Sequence, residues 1–212
     1  MKSLRLEEAL NALKNGQAVI VADDEDRENE GDLICAADAV TDQLINLFAR
    51  EGRGLICAAL PSPVAVRLQL PQLRPAGPQA LHGTAFTDSV DWIHDTTTGI
   101  SCSDRAATLR GLASPTSVPE DFARPGHIFP LIAADGGVLA RRGHTEVTVD
   151  LCRLAGLSGV GVLCEVLRDD GTMARWDDLV LLGKRLNLPV LTVADVVAFR
   201  TNQESKAKGA LL

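Results

Sequence analysis

Seven short apolar or alternating runs punctuate the chain: AVIVA (18–22), DLICAA (32–37), LICAAL (55–60), FTDSVDWI (86–93), HIFPLIA (127–133), VGVLCEVL (160–167) and LPVLTV (188–193). The longest has eight residues, too few for a bilayer span and right for strands rich in β-branched side chains. Between them the apolar spacing turns helical. Leu6, Leu10 and Leu13 mark one face of a helix from Ser3 as N-cap to Gly16 just past its end. Thr41 can cap a helix through Phe48 with Leu44, Leu47 and Phe48 inward, and Ser103 one over 104–112. Further helices are expected from Thr145 (Val147, Leu151 and Leu154 on one side), near 176–187, and from Asp195. Strands and helices interleave without repeat or linker, and hairpins mix with crossovers. A single α+β domain over 1–212 follows, with a mixed β-sheet covered by helices. Stretches 71–83 and 114–126, rich in Pro and Gly, read as loops, DDG (169–171) as a tight turn, and the polar tail after Arg200 as frayed.

The net charge of −7 with no basic cluster argues against nucleic acid as a partner, as does an aromatic content of 3% without tyrosine. The N-terminal MKSLRLEEALNALKNG lacks the apolar core of a signal peptide. Five cysteines, widely spaced and without a CxxC pair, fit a reducing cytoplasm better than a disulfide framework or a zinc site.

Four stretches carry candidate chemistry. DDEDRENEGD (23–32) packs seven carboxylates around one arginine between two apolar strands. It is either a solvated acidic turn or a site for a hard dication. In an extended segment, alternation groups Asp24, Asp26, Glu28, Glu30 and Asp32 on one side, and Gly31 offers backbone freedom to gather them. RRGHTE (141–146) enters a helix at His144 and Thr145, where free N–H groups favour a phosphate that Arg141 could grip; an ordinary start capped by Thr145 is the alternative. RPGHIFP (124–130) fixes a turn before His127, either a structural histidine or a catalyst on a rigid platform. Glu165 interrupts the apolar VGVLCEVL, a setting that can raise a carboxyl toward neutrality for general acid–base work. Cys57, after RGLI, could line a cleft, while the other cysteines read as core, and His82 and His94 as exposed.

Taken together, DDEDRENEGD, TTTGIS (96–101) followed by Asp104-Arg105, RPGHIFPL, RGHTE and GVLCE with DDGTMAR resemble the 3,4-dihydroxy-2-butanone 4-phosphate synthase family, in order from about residue 5 to 200. The resemblance implies a three-layer α+β domain and a homodimer with active sites at the subunit interface. It also implies the free-standing rather than the cyclohydrolase-fused form. The implied reaction turns ribulose 5-phosphate into L-3,4-dihydroxy-2-butanone 4-phosphate and formate, with Mg²⁺ or Mn²⁺, two ions per site. By the same resemblance Glu28 and His144 are metal ligands. Arg27, Glu28, Asp32, Arg141, Thr145 and Glu165 meet the substrate, while His127 and Glu165 are catalytic. Asp32, placed to meet the sugar, is the expected base toward C3. The chain departs from the family at Asp88 and in the bulky, charged DWIHDTTTGISCSDR. Two other readings remain: a metal-dependent sugar-phosphate epimerase or aldolase, which would release no formate, and a catalytically silent metal- or nucleotide-binding module.

Overall fold

A computed structural model describes residues 2–74, 77 and 82–209, so part of the expected 71–83 loop and the last three residues of the tail lie outside the described residues. The chain runs α1 (Lys2–Lys14), β1 (Val19–Ala22), β2 (Gly31–Ala36), α2 (Asp42–Leu47), β3 (Cys57–Leu60), α3 (Ser62–Arg67), β4 (Val90–Trp92), α4 (Cys102–Ala113), β5 (Phe122–Ile132), α5 (His144–Leu154), β6 (Gly161–Glu165), α6 (Trp176–Leu186), β7 (Val190–Thr192) and α7 (Val193–Gly209). The strands form one mixed sheet in the order β4-β5-β3-β6-β2-β1-β7. β1–β2, β2–β6, β3–β6 and β4–β5 pair antiparallel, whereas β1–β7 and β3–β5 pair parallel.

The strand alternation divides the core in two. Ile20, Leu33, Cys35, Ala58, Leu60, Val162 and Cys164 face a layer that includes Ile45 and Phe48 near α2, Leu109 and Leu112 of α4, and Leu179 of α6. Their neighbours Val19, Val21, Ile34, Cys57, Ala59 and Leu163 face Leu6 and Leu13 of α1, Val147 and Leu151 of α5, and Val196 of α7. Two apolar layers flanking one sheet make the three-layer α+β fold.

Most expected elements form, with shifts of local cause. Thr41 caps α2 by accepting from the Leu44 N–H at 3.2 Å, and Gly16 ends α1 at φ +69°. Ser3 lies inside α1 rather than at its cap. At α4 the cap is Ser101, not Ser103: its hydroxyl accepts from the Asp104 N–H at 3.0 Å, two residues earlier than expected. β4 holds only three of the eight residues expected of it: Phe86 makes an isolated bridge to Leu131 of β5, and the register to β5 shifts between Val90 and Asp91. β5 begins at Phe122, so Arg124-Pro125-Gly126 lies within a strand, with a cis Arg124–Pro125 bond, rather than in the expected loop and turn. Gly126 is required there because a Cβ would fall 2.0 Å from the Val90 carbonyl carbon of the adjoining strand. α7 continues to Gly209 instead of fraying after Arg200.

Candidate active site

The register of β2 against β6 sets Asp32 directly opposite Glu165, and that of β6 against β3 sets Leu163 opposite Cys57. By alternation these side chains share the sheet face covered by α5, whose first residue is His144. A cavity of about 160 Å³ results, lined by Arg27, Glu28, Glu30, Asp32, Cys57, Thr84, Phe86, Leu131, Arg141, His144, Thr145, Leu163 and Glu165. Of the residues that the family resemblance assigns to the site, all but His127 line this cavity, whereas Asp24 and Asp26 of the expected acidic group do not.

The acidic loop is a turn, not an extended segment. Asn29 takes a left-handed conformation at φ +54°, and alternation fails through it, leaving Glu25 and Asp26 exposed. The group that converges is Asp23, Glu28, Glu30 and Asp32, not the period-two set. Asp23 anchors the loop: its buried carboxylate accepts from the Glu28 N–H at 3.2 Å, the Glu30 N–H at 2.9 Å and Arg27 Nη1 at 2.7 Å. From the other side, Arg175 Nη1 donates to the Glu28 carbonyl at 3.0 Å and to that of Asn29. Gly31 serves by close approach rather than dihedral freedom, since a Cβ would sit 2.2 Å from Leu179 Cδ1. No sequence signal separates Asp23 from its acidic neighbours; only the turn does.

Ligand-type atoms of Asp23, Glu28 and His144 lie within 4.8 Å of one another. Asp23 already accepts three hydrogen bonds, and Glu28 is engaged by Arg27. Glu28 Oε2 lies 2.6 Å from Arg27 Nη1 and 3.5 Å from His144 Nδ1, and Asp32 Oδ1 lies 3.8 Å from the same nitrogen. Among the described residues, Asp32 Oδ1 and His144 Nε2 are buried side-chain atoms without a hydrogen-bond partner. Two such atoms in one cavity leave hydrogen-bonding or ligand capacity open toward whatever enters it.

The electrostatics divide the three groups. The hydrogen bond with His144, helped by Arg27, outweighs burial and holds Glu28 at about 2. Burial alone would lower the His144 imidazole, but Asp32, Glu28 and Asp23 outweigh it and raise it from 6.5 to about 9. Asp32 is pushed up to about 7, chiefly by burial and then by Glu165, Glu28 and Glu30, against the pull of His144. Asp32 is thus a carboxyl poised near neutrality. The buried position belongs to Asp32, while Glu165 is half-buried at the strand end, its Oε2 accepting from the Leu55 N–H at 2.8 Å. Burial also pushes the cavity-lining Cys57 thiol far up, which keeps it protonated.

On the α5 side, buried Glu146 accepts from Arg141 Nη1 at 2.6 Å and from the Ala134 N–H at 3.0 Å, and Arg141 Nη2 donates to the His82 carbonyl at 3.0 Å. Gly143 caps α5 and leaves room for the guanidinium, because a Cβ would stand 2.2 Å from Arg141 Nη1. Arg141 and the N–H groups of Thr145 and its neighbours therefore meet at one helix N-terminus, a natural anion seat. Glu146 went unread in the sequence although it ends the RGHTE motif.

His127 stands apart. It lies four residues before the cavity-lining Leu131 on β5, roughly 13 Å along the strand, and its side chain is 43% exposed. As for the departures, Asp88 is exposed, and Trp92 packs edge-on to Phe122 with ring centroids 5.3 Å apart, over Gly111 of α4 rather than into the cavity.

Residues 7–199 match the family model for 3,4-dihydroxy-2-butanone 4-phosphate synthase. A protein of that name from Agrobacterium fabrum is 52% identical over 94% of this chain and 93% of its own length. The riboflavin biosynthesis protein RibBA of Bacillus cytotoxicus is 50% identical over 95% of this chain, which spans only 50% of that protein. Among solved structures, a 3,4-dihydroxy-2-butanone 4-phosphate synthase in complex with two magnesium ions superposes with a TM-score of 0.90 at 44% identity, covering 94% of this chain and 97% of its own. The Candida albicans enzyme of the same name gives 0.83 at 47%, over 92% and 96%.

Proposed function

Because the chain belongs to the 3,4-dihydroxy-2-butanone 4-phosphate synthase family, we propose that it is a lyase of riboflavin biosynthesis acting through one domain. It turns D-ribulose 5-phosphate into L-3,4-dihydroxy-2-butanone 4-phosphate and formate. The observation that carries this reading is one small cavity that holds a carboxylate–imidazole pair, a carboxyl near neutrality and an arginine at a helix N-terminus. Those parts match a substrate with a phosphate at one end and exchangeable C–H and O–H protons at the other.

Mg²⁺ or Mn²⁺, two ions per site, is the proposed cofactor, with Glu28 and His144 as ligands. The oxygen and imidazole donors suit both metals, and the unpartnered His144 Nε2 and Asp32 Oδ1 fit a site that a ligand completes. When bound, the dication offers a chelate for sugar oxygens as they gain negative charge. The chain supplies the rest. Arg141 and Thr145 seat the phosphate, and Arg27 steadies Glu28 and reaches toward the sugar. Asp32 takes the proton from C3, its elevated affinity for protons suiting a base that works near neutral pH. Glu165 and His127 move protons on the hydroxyls during the carbon shift and the hydration that frees formate.

A homodimer with shared active sites is proposed with this reading. Its support is the exposed His127, which the single chain holds a strand's length from the cavity it should serve. A reducing cytoplasm is the proposed location, supported by five cysteines, all free and widely spaced.

The protonation of His144 makes metal binding depend on pH. A ring held at about 9 is protonated at pH 7, and freeing it for a metal there costs roughly 3 kcal/mol at ~1.4 kcal/mol per pH unit. Raising the pH removes that cost, so apparent Mn²⁺ affinity is expected to climb by up to about tenfold per unit between pH 7 and 9, with about one proton released per ion. Calorimetric titrations in buffers of different ionisation enthalpy measure both; flat affinity and no proton release would count against His144 as a ligand.

The reading itself is tested by incubating the protein with ribulose 5-phosphate and Mg²⁺ and following the formate proton by NMR. Formate should appear, and stop on chelation with EDTA. An epimerase, an aldolase or a silent binding module gives none.

A further inference from the structure

We infer that Asp91 is the positioning residue that fixes His127 in the tautomer protonated on Nδ1, presenting Nε2 outward as the proton-transfer atom. This rests on the reading above in which His127 takes part in catalysis.

The geometry of the pair is specific. Asp91 Oδ2 lies 2.7 Å from His127 Nδ1, and Asp91 Oδ1 accepts from the His127 backbone N–H at 2.8 Å. One carboxylate thus grips the residue at both its backbone and its ring, which leaves the imidazole little rotational freedom. A carboxylate only accepts, so the facing ring nitrogen must carry the proton, and in the neutral ring the lone pair then sits on Nε2. The carboxylate is 13% exposed and the imidazole 43%, so the orienting group is sheltered while the working end is open.

The surrounding chain is shaped to this pair. Gly99, at φ +91°, lies so close that a Cβ would stand 2.0 Å from Asp91 Oδ2 and 2.7 Å from His127 Nδ1. The turn carrying Gly99 is itself held by buried Asp104, which accepts from the Gly99 N–H at 3.1 Å and the Thr97 hydroxyl at 2.6 Å. The Thr108 hydroxyl accepts from the Trp92 N–H at 2.9 Å and ties the residue after Asp91 to α4. TTTGIS with its following aspartate therefore acts at a distance: it keeps a space open in which a carboxylate can orient a histidine. Had His127 been only a structural residue, an open ring end and a double-gripping carboxylate would serve no packing purpose.

Asp91→Asn tests this nearly isosterically. The amide oxygen can keep the backbone bond, but its NH₂ then faces Nδ1 as a donor and drives the proton to Nε2. With ¹⁵N-histidine labelling, His127 should change from the Nδ1–H to the Nε2–H tautomer. Turnover should fall by roughly a hundred- to ten-thousandfold with KM little changed. If Asp91 acts only through His127, Asp91→Asn should cost nothing further in a His127→Ala background, because groups acting as one unit are not additive. Retention of the Nδ1–H tautomer in Asp91→Asn, or a full additional loss in the double variant, overturns the inference. If His127→Ala alone turns over like the parent, it is the catalytic reading of His127 that fails, and the inference falls with it.

Discussion

Glu28→Ala is expected to weaken Mn²⁺ binding by at least about a hundredfold and to abolish measurable turnover, while the protein stays folded. Loss of a group that merely supports a ligand already costs ten- to a hundredfold in affinity, and Glu28 is proposed as a ligand itself. Its carboxylate is held at about 2 by the hydrogen bond to His144, so it is charged throughout the physiological range. The loop should survive the change, since Asp23 still accepts from Arg27 Nη1 at 2.7 Å and from two backbone N–H groups. Arg175 still braces it from the other side. An electron-spin-resonance titration of free Mn²⁺ measures the loss, and thermal unfolding checks the fold. Parental affinity in the variant would mean that another carboxylate of the loop carries the metal.

Glu165→Gln is expected to lower kcat by at least about a hundredfold while substrate still binds, the size of one positioned acid–base group. The amide oxygen can go on accepting the Leu55 N–H, which the carboxylate now does at 2.8 Å, so the strand end should hold its place. A second readout separates chemistry from structure. The charge of Glu165 helps to raise Asp32 after burial has done most of the work. Removing that charge makes ionised Asp32 less costly and lowers its pKa. The acid limb of residual turnover should therefore move to lower pH, where a purely structural defect would scale the profile without shifting it. Unchanged turnover would remove Glu165 from the mechanism.

Local chemistry was readable in the sequence, and long-range geometry was not. The Thr41 cap, the apolar faces of α1 and α5 and the position of β1 follow from short-range rules, and each forms. The residues that the motifs assign to the site through the family resemblance gather in one cavity, His127 apart. What failed were inferences that needed the path of the chain. Period-two reasoning grouped Asp24 and Asp26 with the site because it assumed an extended backbone, whereas a turn with Asn29 at φ +54° hides Asp23 and turns Asp26 out. Asp32 was read as the base only for its place beside the sugar, because its burial comes from the register of β2 on β6, which no local pattern announces. Asp91 carried no signal of its own, since its partner His127 is thirty-six residues away and joins it only through the pairing of β4 with β5.

The central claim is that this cavity excises one carbon from inside a sugar phosphate, and position-specific labelling tests it most directly. With Mg²⁺ and ribulose 5-phosphate carrying ¹³C at C4 alone, the account predicts formate appearing as a ¹³C-coupled doublet, with no label in the four-carbon phosphate product. Label retained in a phosphorylated product, or no formate after prolonged incubation, would contradict it.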